Sequence, residues 1–210
     1  MISKKYAAMT KNTSIIREFA QYAGRRAAEI GAENVYNFTI GNPSVPTRPE
    51  FTEAMLRIIK ETDPVALHGY SPTLTIPSVR QAVADSLNRR FGMNYKLEDI
   101  FMTSGAAGAL AHAIRCVTEP GDEVITFAPY FPEYIPYVDG TGAVLKVVPA
   151  DITSFQINFD AFEEMLNPNV QAILINSPNN PSGIVYSTET ITRLAQILKD
   201  KQEEYGHDIY

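Results

Sequence analysis

The sequence has little of several features on which whole classes of protein depend. Among its 210 residues is a single cysteine, Cys116, which excludes a framework of internal disulfides. It contains no run of about 18 apolar residues, and its N-terminus lacks the apolar core of a signal peptide. Positive charge is in deficit, because 18 lysines and arginines face 24 acidic residues. These absences argue against disulfide-rich, membrane-spanning and nucleic-acid-binding proteins, and they favour a cytoplasmic one.

Histidine is scarce as well. The sequence has three histidines, His68, His112 and His207, and none has a partner at the spacing of metal ligands. We therefore predict no metal site.

What is present is an ordinary globular composition, with 45% hydrophobic and 20% charged residues. Apolar periodicity predicts helices over about 14–31, 50–60, 76–91, 105–117, 160–166 and 188–199, and strands over 35–40, 100–103, 124–127, 144–148 and 172–175. Strands that alternate with helices predict an α/β fold, a three-layer α/β/α core with a mainly parallel sheet.

The most informative segment is the loop over residues 176–183, directly after the apolar run 170–175. It contains three asparagines, two prolines and a glycine, so it is polar and has little backbone freedom. In an open α/β sheet, ligands bind at the carboxyl edge, where such a loop can present a fixed side-chain amide. The Asn180–Pro181 bond is a candidate for a cis peptide. The alternative interpretation is a plain strand-to-helix connector.

Small residues join a predicted strand to a helix over residues 103–110. A helix N-terminus exposes unpaired N–H groups and a partial positive charge, and small side chains let an anion approach the backbone. Tight helix–sheet packing would also select glycine and alanine. The spacing of Gly105 and Gly108 does not match the dinucleotide-binding fingerprint G-x-G-x-x-G.

Aromatic residues follow the strand predicted over 124–127. A ring in the segment 128–134 could stack on a heteroaromatic ligand, a contact that contributes about 1 kcal/mol beyond its area burial. An aromatic cover over the protein core is the alternative.

Taken together and in order, these segments resemble the class I/II, aspartate aminotransferase-like family of fold-type I pyridoxal phosphate (PLP) enzymes. The resemblance implies that the backbone of Gly105, Ala106 and Ala107, with Ser104, holds the cofactor phosphate. It implies that Phe131 stacks on the pyridine ring, where many relatives carry tryptophan or tyrosine. It also implies that Asn180 donates a hydrogen bond to the phenolic oxygen of the cofactor and lies next to the substrate.

Two further roles follow from the same resemblance. Tyr70 matches a tyrosine that reaches the cofactor phosphate of the neighbouring subunit, which implies a homodimer with shared active sites. Gly41 matches a glycine whose backbone faces the α-carboxylate of the substrate. The sequence departs from the family at Thr75, where a glycine is usual.

Other parts that the family requires are not found. PLP chemistry needs a Schiff-base lysine, and none of the eight lysines lies in a context like that of the family. The family places this lysine, the acid opposite the pyridine nitrogen and the substrate-binding arginine after the loop 176–183. We therefore expect an N-terminal portion of such an enzyme, inactive alone and with no catalytic residue of its own. Residues 1–45 would form the N-terminal arm and small-domain segment, and 46–210 the first half of the PLP-binding large domain.

The leading functional hypothesis is amino-group transfer between an amino acid and a 2-oxo acid. Another PLP reaction on the same scaffold, such as C–S lysis, decarboxylation or cyclopropane-carboxylate synthesis, is the nearest alternative. A non-catalytic PLP-binding regulator and a nucleotide-binding α/β protein are the others, and the acidic charge and the failed glycine fingerprint count against them.

Overall fold

A computed structural model describes residues 2, 4–9, 15–39, 41, 45–71 and 76–210. The chain forms two compact units, Met1–Tyr70 and Ser71–Tyr210, and each is described by itself. The domain division predicted at residue 45 concerns the family's domains and stays a prediction.

The first unit is helical in its described part. Its helices are α1 (Lys4–Met9), α2 (Ile15–Ile30), α3 (Pro49–Glu61) and α4 (Pro64–His68), with a 3-10 turn at Ala32–Asn34. Proline occupies the first turn of α3 and of α4, where its missing N–H group is no loss. The strand predicted over 35–40 is wrong for the described residues 35–39, because no described segment pairs with them.

The second unit alternates helices and strands. Its helices are α5 (Pro77–Phe91), α6 (Gly105–Val117), α7 (Tyr134–Asp139), α8 (Phe159–Met165) and α9 (Thr188–Tyr205), and its strands are β1 (Glu123–Phe127), β2 (Val144–Val148) and β3 (Val170–Leu174). A 3-10 turn covers Leu97–Asp99. Most of these bounds lie within two residues of the predicted ones, although α7 was not predicted and α9 is longer than expected.

The three strands form one parallel sheet in the order β2-β1-β3. Strand β1 is central, so Ile125 lies between Lys146 of β2 and Ile173 of β3. The predicted parallel sheet is confirmed.

The core lies on both faces of this sheet. On one face Ile125 packs in a cluster with Phe162 of α8 and Leu194 of α9. On the other face Val124 packs in a cluster with Ile114 of α6 and with residues of α7. Successive strand residues point to opposite faces, so β1 builds both clusters and the three-layer α/β/α architecture is confirmed.

The strand predicted over residues 100–103 does not form. Ile100 has extended backbone angles (φ −104°, ψ 116°), but within the described ranges no strand pairs with this segment. Its backbone is instead held by the buried Arg80, whose Nε and Nη2 donate to the carbonyls of Ile100 and Leu97 at 2.8 and 2.7 Å.

A further extended segment lies along β3. The N–H of Ile173 donates to the Tyr210 carbonyl at 2.7 Å, and the N–H of Tyr210 donates to the Gln171 carbonyl at 2.9 Å.

In the residues that the structure describes, no helix has the length and apolarity to span a membrane.

Candidate functional site

The carboxyl edge of the sheet is the candidate site. β1 and β3 are parallel neighbours, so the loops that follow them leave the sheet at the same edge. Helix α6 ends in a short turn that leads into β1, and Ile114 in its last two turns lies in one cluster with Val124 at the start of β1. The N-terminus of α6 is therefore directed towards the edge at which the strands end.

The backbone of the first turn of α6 is not covered by side chains at Gly105. Gly105 has a φ of +74°, and a Cβ added there would meet nothing within 4 Å. The glycine is therefore required by backbone conformation and not by close packing. The N–H of Gly105 donates to the Thr103 carbonyl at 3.0 Å, and the Thr103 hydroxyl donates to the Gly105 carbonyl at 2.9 Å. These bonds fix the entry into the helix.

The backbone N–H groups of the next two residues are available to bind a ligand. Ala106 and Ala107 are exposed in the first turn, where an α-helix provides no carbonyl partner for the N–H. Ser104 at the N-cap makes no side-chain capping bond. Gly108 differs, because a Cβ there would lie 3.4 Å from the Thr103 Cβ. Neither backbone conformation nor packing requires a glycine at position 108, whereas the first turn keeps the geometry of an anion site.

The loop after β1 carries the aromatic group. Phe131 is half-buried, and its ring meets the ring of the buried Tyr134 edge-on, with centroids 5.8 Å apart. Tyr130 stacks on Tyr134 at 6.3 Å. Burial raises the pKa of Tyr134 above its usual value, and it raises the pKa of Tyr186 in the same way, with a smaller contribution from Tyr134. The phenols of Tyr134 and Tyr186 are therefore neutral at physiological pH.

The loop after β3 is held by its own asparagines. The Asn176 Oδ1 accepts a hydrogen bond from the backbone N–H of Asn180 at 2.7 Å. Asn179 is buried, and its Oδ1 accepts from the N–H and the hydroxyl of Ser182 at 3.1 and 2.8 Å. The Asn180–Pro181 peptide, a candidate from the sequence, is cis, and the Ala128–Pro129 and Ser177–Pro178 peptides are cis too. The side chains of Asn176 and Asn179 thus fix the conformation of the loop.

The exposed side chain of Asn180 is the exception in this loop. No hydrogen bond of its side-chain amide is found among the described residues. The amide is thus free to bind a ligand at the carboxyl edge of the sheet.

A second set of hydrogen bonds holds the exit of the loop. The Ser177 hydroxyl oxygen accepts from the Tyr186 N–H at 3.1 Å. The Gln156 Oε1 accepts from the Ser187 N–H at 3.1 Å and from the Thr190 hydroxyl at 2.7 Å. The sequence does not indicate the bonds of Gln156, Ser177 and Asn179, because they join residues whose proximity only the folded chain defines. The polar composition of the loop was a signal for Ser177 and Asn179, whereas Gln156 lies outside the loop.

The predicted site residues divide between the two units. Gly105, Ala106, Ala107, Phe131 and Asn180 all belong to the second unit, in the three segments at the carboxyl edge of the sheet. Gly41 and the fully exposed Tyr70 belong to the first unit. Their predicted roles toward the substrate and a neighbouring subunit stay predictions. Thr75, where the sequence departs from the family, lies outside the described residues.

The described ranges contain no cluster of three or more histidine, cysteine, aspartate or glutamate side chains that could hold a metal ion. The polar groups of the candidate site are the backbone N–H groups of α6, the Ser104 hydroxyl and the Asn180 amide. Such donors suit an anionic ligand.

Comparison with known proteins points to one family. The family model described as aminotransferase class I and II matches residues 33–203. The chain is 32% identical to an aspartate aminotransferase of Thermotoga maritima over 175 residues, which cover 80% of this chain and 44% of that protein. It is 31% identical to an aspartate aminotransferase of Sulfurisphaera tokodaii over 90% of this chain and 49% of that protein. The chain thus spans about half the length of the curated relatives it matches.

Solved structures agree. The structure resembles that of an amino transferase from Eubacterium rectale, with a TM-score of 0.95 and 42% identity over 99% of this chain and 52% of that one. It also resembles the aspartate aminotransferase structure from Thermotoga maritima, with a TM-score of 0.84 and 29% identity over 95% of this chain and 52% of that one.

Proposed function

Because the chain belongs to the class I and II aminotransferase family, whose members depend on pyridoxal phosphate, we propose that it is part of a PLP-dependent aminotransferase. The reaction moves an amino group between an amino acid and a 2-oxo acid. The observation that carries the proposal is the convergence of three segments on one edge of one sheet. They offer an open helix N-terminus, an aromatic ring and an unpartnered amide.

The helix N-terminus fits a phosphate. Gly105 keeps the first turn of α6 free of a side chain, and the N–H groups of Ala106 and Ala107 lack intrahelical partners. The partial positive charge of a helix N-terminus stabilises an anion by about 0.3–2 kcal/mol, depending on burial. We assign the phosphate of the cofactor to these groups and to Ser104.

The two loops fit the ring. Phe131 would lie against a face of the pyridine, with its own ring nearly perpendicular to that of Tyr134. Asn180 would donate its free amide N–H to the phenolic oxygen and stabilise that oxygen as an anion. When bound, the cofactor supplies an electron sink for the bonds at the amino-acid α-carbon. The residues of this chain orient the cofactor and set the charge of its oxygen.

The lysine that the chemistry requires is assigned to residues beyond these 210. Two described lysines are engaged elsewhere: Lys146 pairs with Glu123 of β1 at 3.3 Å, and Lys201 pairs with Glu204 on α9 at 2.7 Å. The chain spans about half the length of its relatives. We infer that it is the N-terminal portion of the enzyme and that it does not transaminate alone.

Partners and location are proposed on the same basis. Tyr70 is fully exposed, as a side chain that reaches a neighbouring subunit would be in an isolated chain. A homodimer with shared active sites, amino-acid and 2-oxo-acid substrates, and a cytoplasmic location complete the proposal.

Mass spectrometry of the protein from its native source tests the proposal. After borohydride reduction, the intact mass should be that of a chain longer than 210 residues that carries one pyridoxyl adduct. A product of 210 residues without an adduct would contradict it. Assays of the same protein separate the reaction types, since transamination consumes a 2-oxo acid stoichiometrically, whereas elimination releases ammonia and decarboxylation releases CO₂.

A further inference from the structure

The loop after β3 starts from a fixed point. The buried hydroxyl of Thr126 in β1 donates to the Leu174 carbonyl at 2.9 Å, so the end of β3 is tied to the central strand. Asn176 follows two residues later and is half-buried. Its side chain therefore projects from a part of the chain that the sheet holds in place.

The side chain of Asn176 contacts Asn180, the residue whose side-chain amide is free. Its Oδ1 accepts the backbone N–H of Asn180 at 2.7 Å, a short bond for an N–H donor. On the other side, Asn179 is buried and its N–H donates to the Ile184 carbonyl at 2.8 Å. Asn180 lies between these two bonds, and among the described residues the Asn176 side chain is the partner of the Asn180 backbone N–H.

We propose that Asn176 is a positioning residue, which fixes the backbone of Asn180 so that the Asn180 amide meets the phenolic oxygen of bound pyridoxal phosphate. The inference rests on the function proposed above for Asn180. An N–H donor favours the ionised form of the oxygen that it binds. A well-placed Asn180 therefore lowers the pKa at which the bound cofactor changes its visible absorbance, and a displaced Asn180 raises it.

The test is a double-mutant cycle on the full-length, cofactor-loaded protein. The visible absorbance of the cofactor is titrated against pH in the wild type, in Asn176→Ala, in Asn180→Ala and in the double variant. Loss of one hydrogen bond should raise the apparent pKa by about 0.7 units in Asn180→Ala, which corresponds to about 1 kcal/mol. Asn176→Ala should raise it by up to the same amount, and the double variant no further than Asn180→Ala.

Ser177→Ala is the matched control. It removes a bond of the same loop in which Asn180 takes no part, the one that Ser177 accepts from the Tyr186 N–H. It should leave the titration where it is. A shift in this control as large as that of Asn176→Ala would overturn the positioning role and show a general effect of loop stability.

The outcomes separate the two proposals. No shift in Asn176→Ala, or a shift that persists in full when Asn180 is already alanine, overturns the role of Asn176. No shift in Asn180→Ala, or no cofactor binding by the wild type, overturns the proposed function instead. If Asn176→Ala does not fold, Asn176→Asp keeps the acceptor oxygen. Introduced into the Asn176→Asp protein, Asn180→Ala must then shift the titration of the cofactor as far as it does in the wild type. A smaller shift overturns the inference.

Discussion

The ring of Phe131 meets the ring of Tyr134 at an angle of 81°, with centroids 5.8 Å apart. This edge-to-face contact is a favoured geometry for aromatic pairs. Tyr134 is buried in the first turn of α7 and Phe131 is half-buried, so the pair joins the core to the candidate site. The orientation of Phe131 is thus set from inside the protein.

Replacement of Phe131 should weaken cofactor binding. Phe131→Leu keeps an apolar side chain but removes the aromatic face, a loss of about 1 kcal/mol. The dissociation constant for pyridoxal phosphate should rise about fivefold, measured by equilibrium titration of the full-length protein. Tyr130→Leu removes the other aromatic partner of Tyr134 and should change the constant less. Equal effects of the two variants would argue against direct stacking by Phe131.

Two glycines of α6 should respond to alanine with opposite signs. At Gly105 the φ of +74° disfavours any residue with a Cβ, so Gly105→Ala should lower the free energy of unfolding by about 1–2 kcal/mol. Gly108 lies within the helix without a positive φ, and Gly108→Ala should be neutral or stabilising by up to about 1 kcal/mol. Chemical denaturation of both variants measures the difference. If Gly108→Ala lowers the free energy of unfolding and Gly105→Ala does not, this account of the first turn is contradicted.

Arg80 should contribute strongly to stability. Its guanidinium satisfies the carbonyls of Leu97 and Ile100 from a buried position. Arg80→Met leaves both carbonyls without that donor and should cost about 2–4 kcal/mol in unfolding free energy. The matched control is Arg89→Met on the exposed side of the same helix, with an expected effect within about 0.5 kcal/mol. Similar losses of unfolding free energy in the two variants would show that the hydrogen bonds of the buried Arg80 guanidinium do not contribute to stability.

Alkaline pH should destabilise the second unit through its buried tyrosines. Burial raises the pKa values of Tyr134 and Tyr186 in the folded state. Between the unfolded value of about 10 and the higher folded value, the folded state binds more protons than the unfolded state. The stability is therefore complete below about pH 10 and falls as the pH rises through the folded pKa. Denaturant unfolding from pH 8 to 11 measures the slope.

The tyrosine variants check the origin of that slope. Tyr134→Phe and Tyr186→Phe remove one ionisable phenol each, so each should make the alkaline loss of stability shallower than in the wild type. An unchanged slope in both variants would assign the loss to other groups.

Local signals in the sequence predicted most of the fold. Apolar periodicity placed α5, β1 and β2. The strands predicted over 35–40 and 100–103 failed for one reason. A β pattern describes a segment that can pair, and pairing depends on a neighbour that the segment does not encode.

The location of the candidate segments was predictable in part. Turn residues after two strands placed the loops 128–134 and 176–183 at the carboxyl edge, and small residues marked the start of α6, whereas the roles of these residues stay predictions. The roles of Asn176 and Arg80 were not predictable, because each acts through a backbone group that only the folded chain brings within reach. Sequence pattern indicates where a ligand can bind, whereas the supporting bonds are a property of the assembled loops.

Strand β2 is an outer strand of the described sheet, and Lys146 lies at its centre. The unpaired backbone of an edge strand is a template for pairing with another molecule, and a lysine there opposes the addition of a strand. Its ammonium group pairs with Glu123 on the neighbouring strand β1 at 3.3 Å. We therefore expect the lysine to disfavour edge-to-edge association of partly folded chains, a stage at which hydrophobic strands such as β1 are most vulnerable.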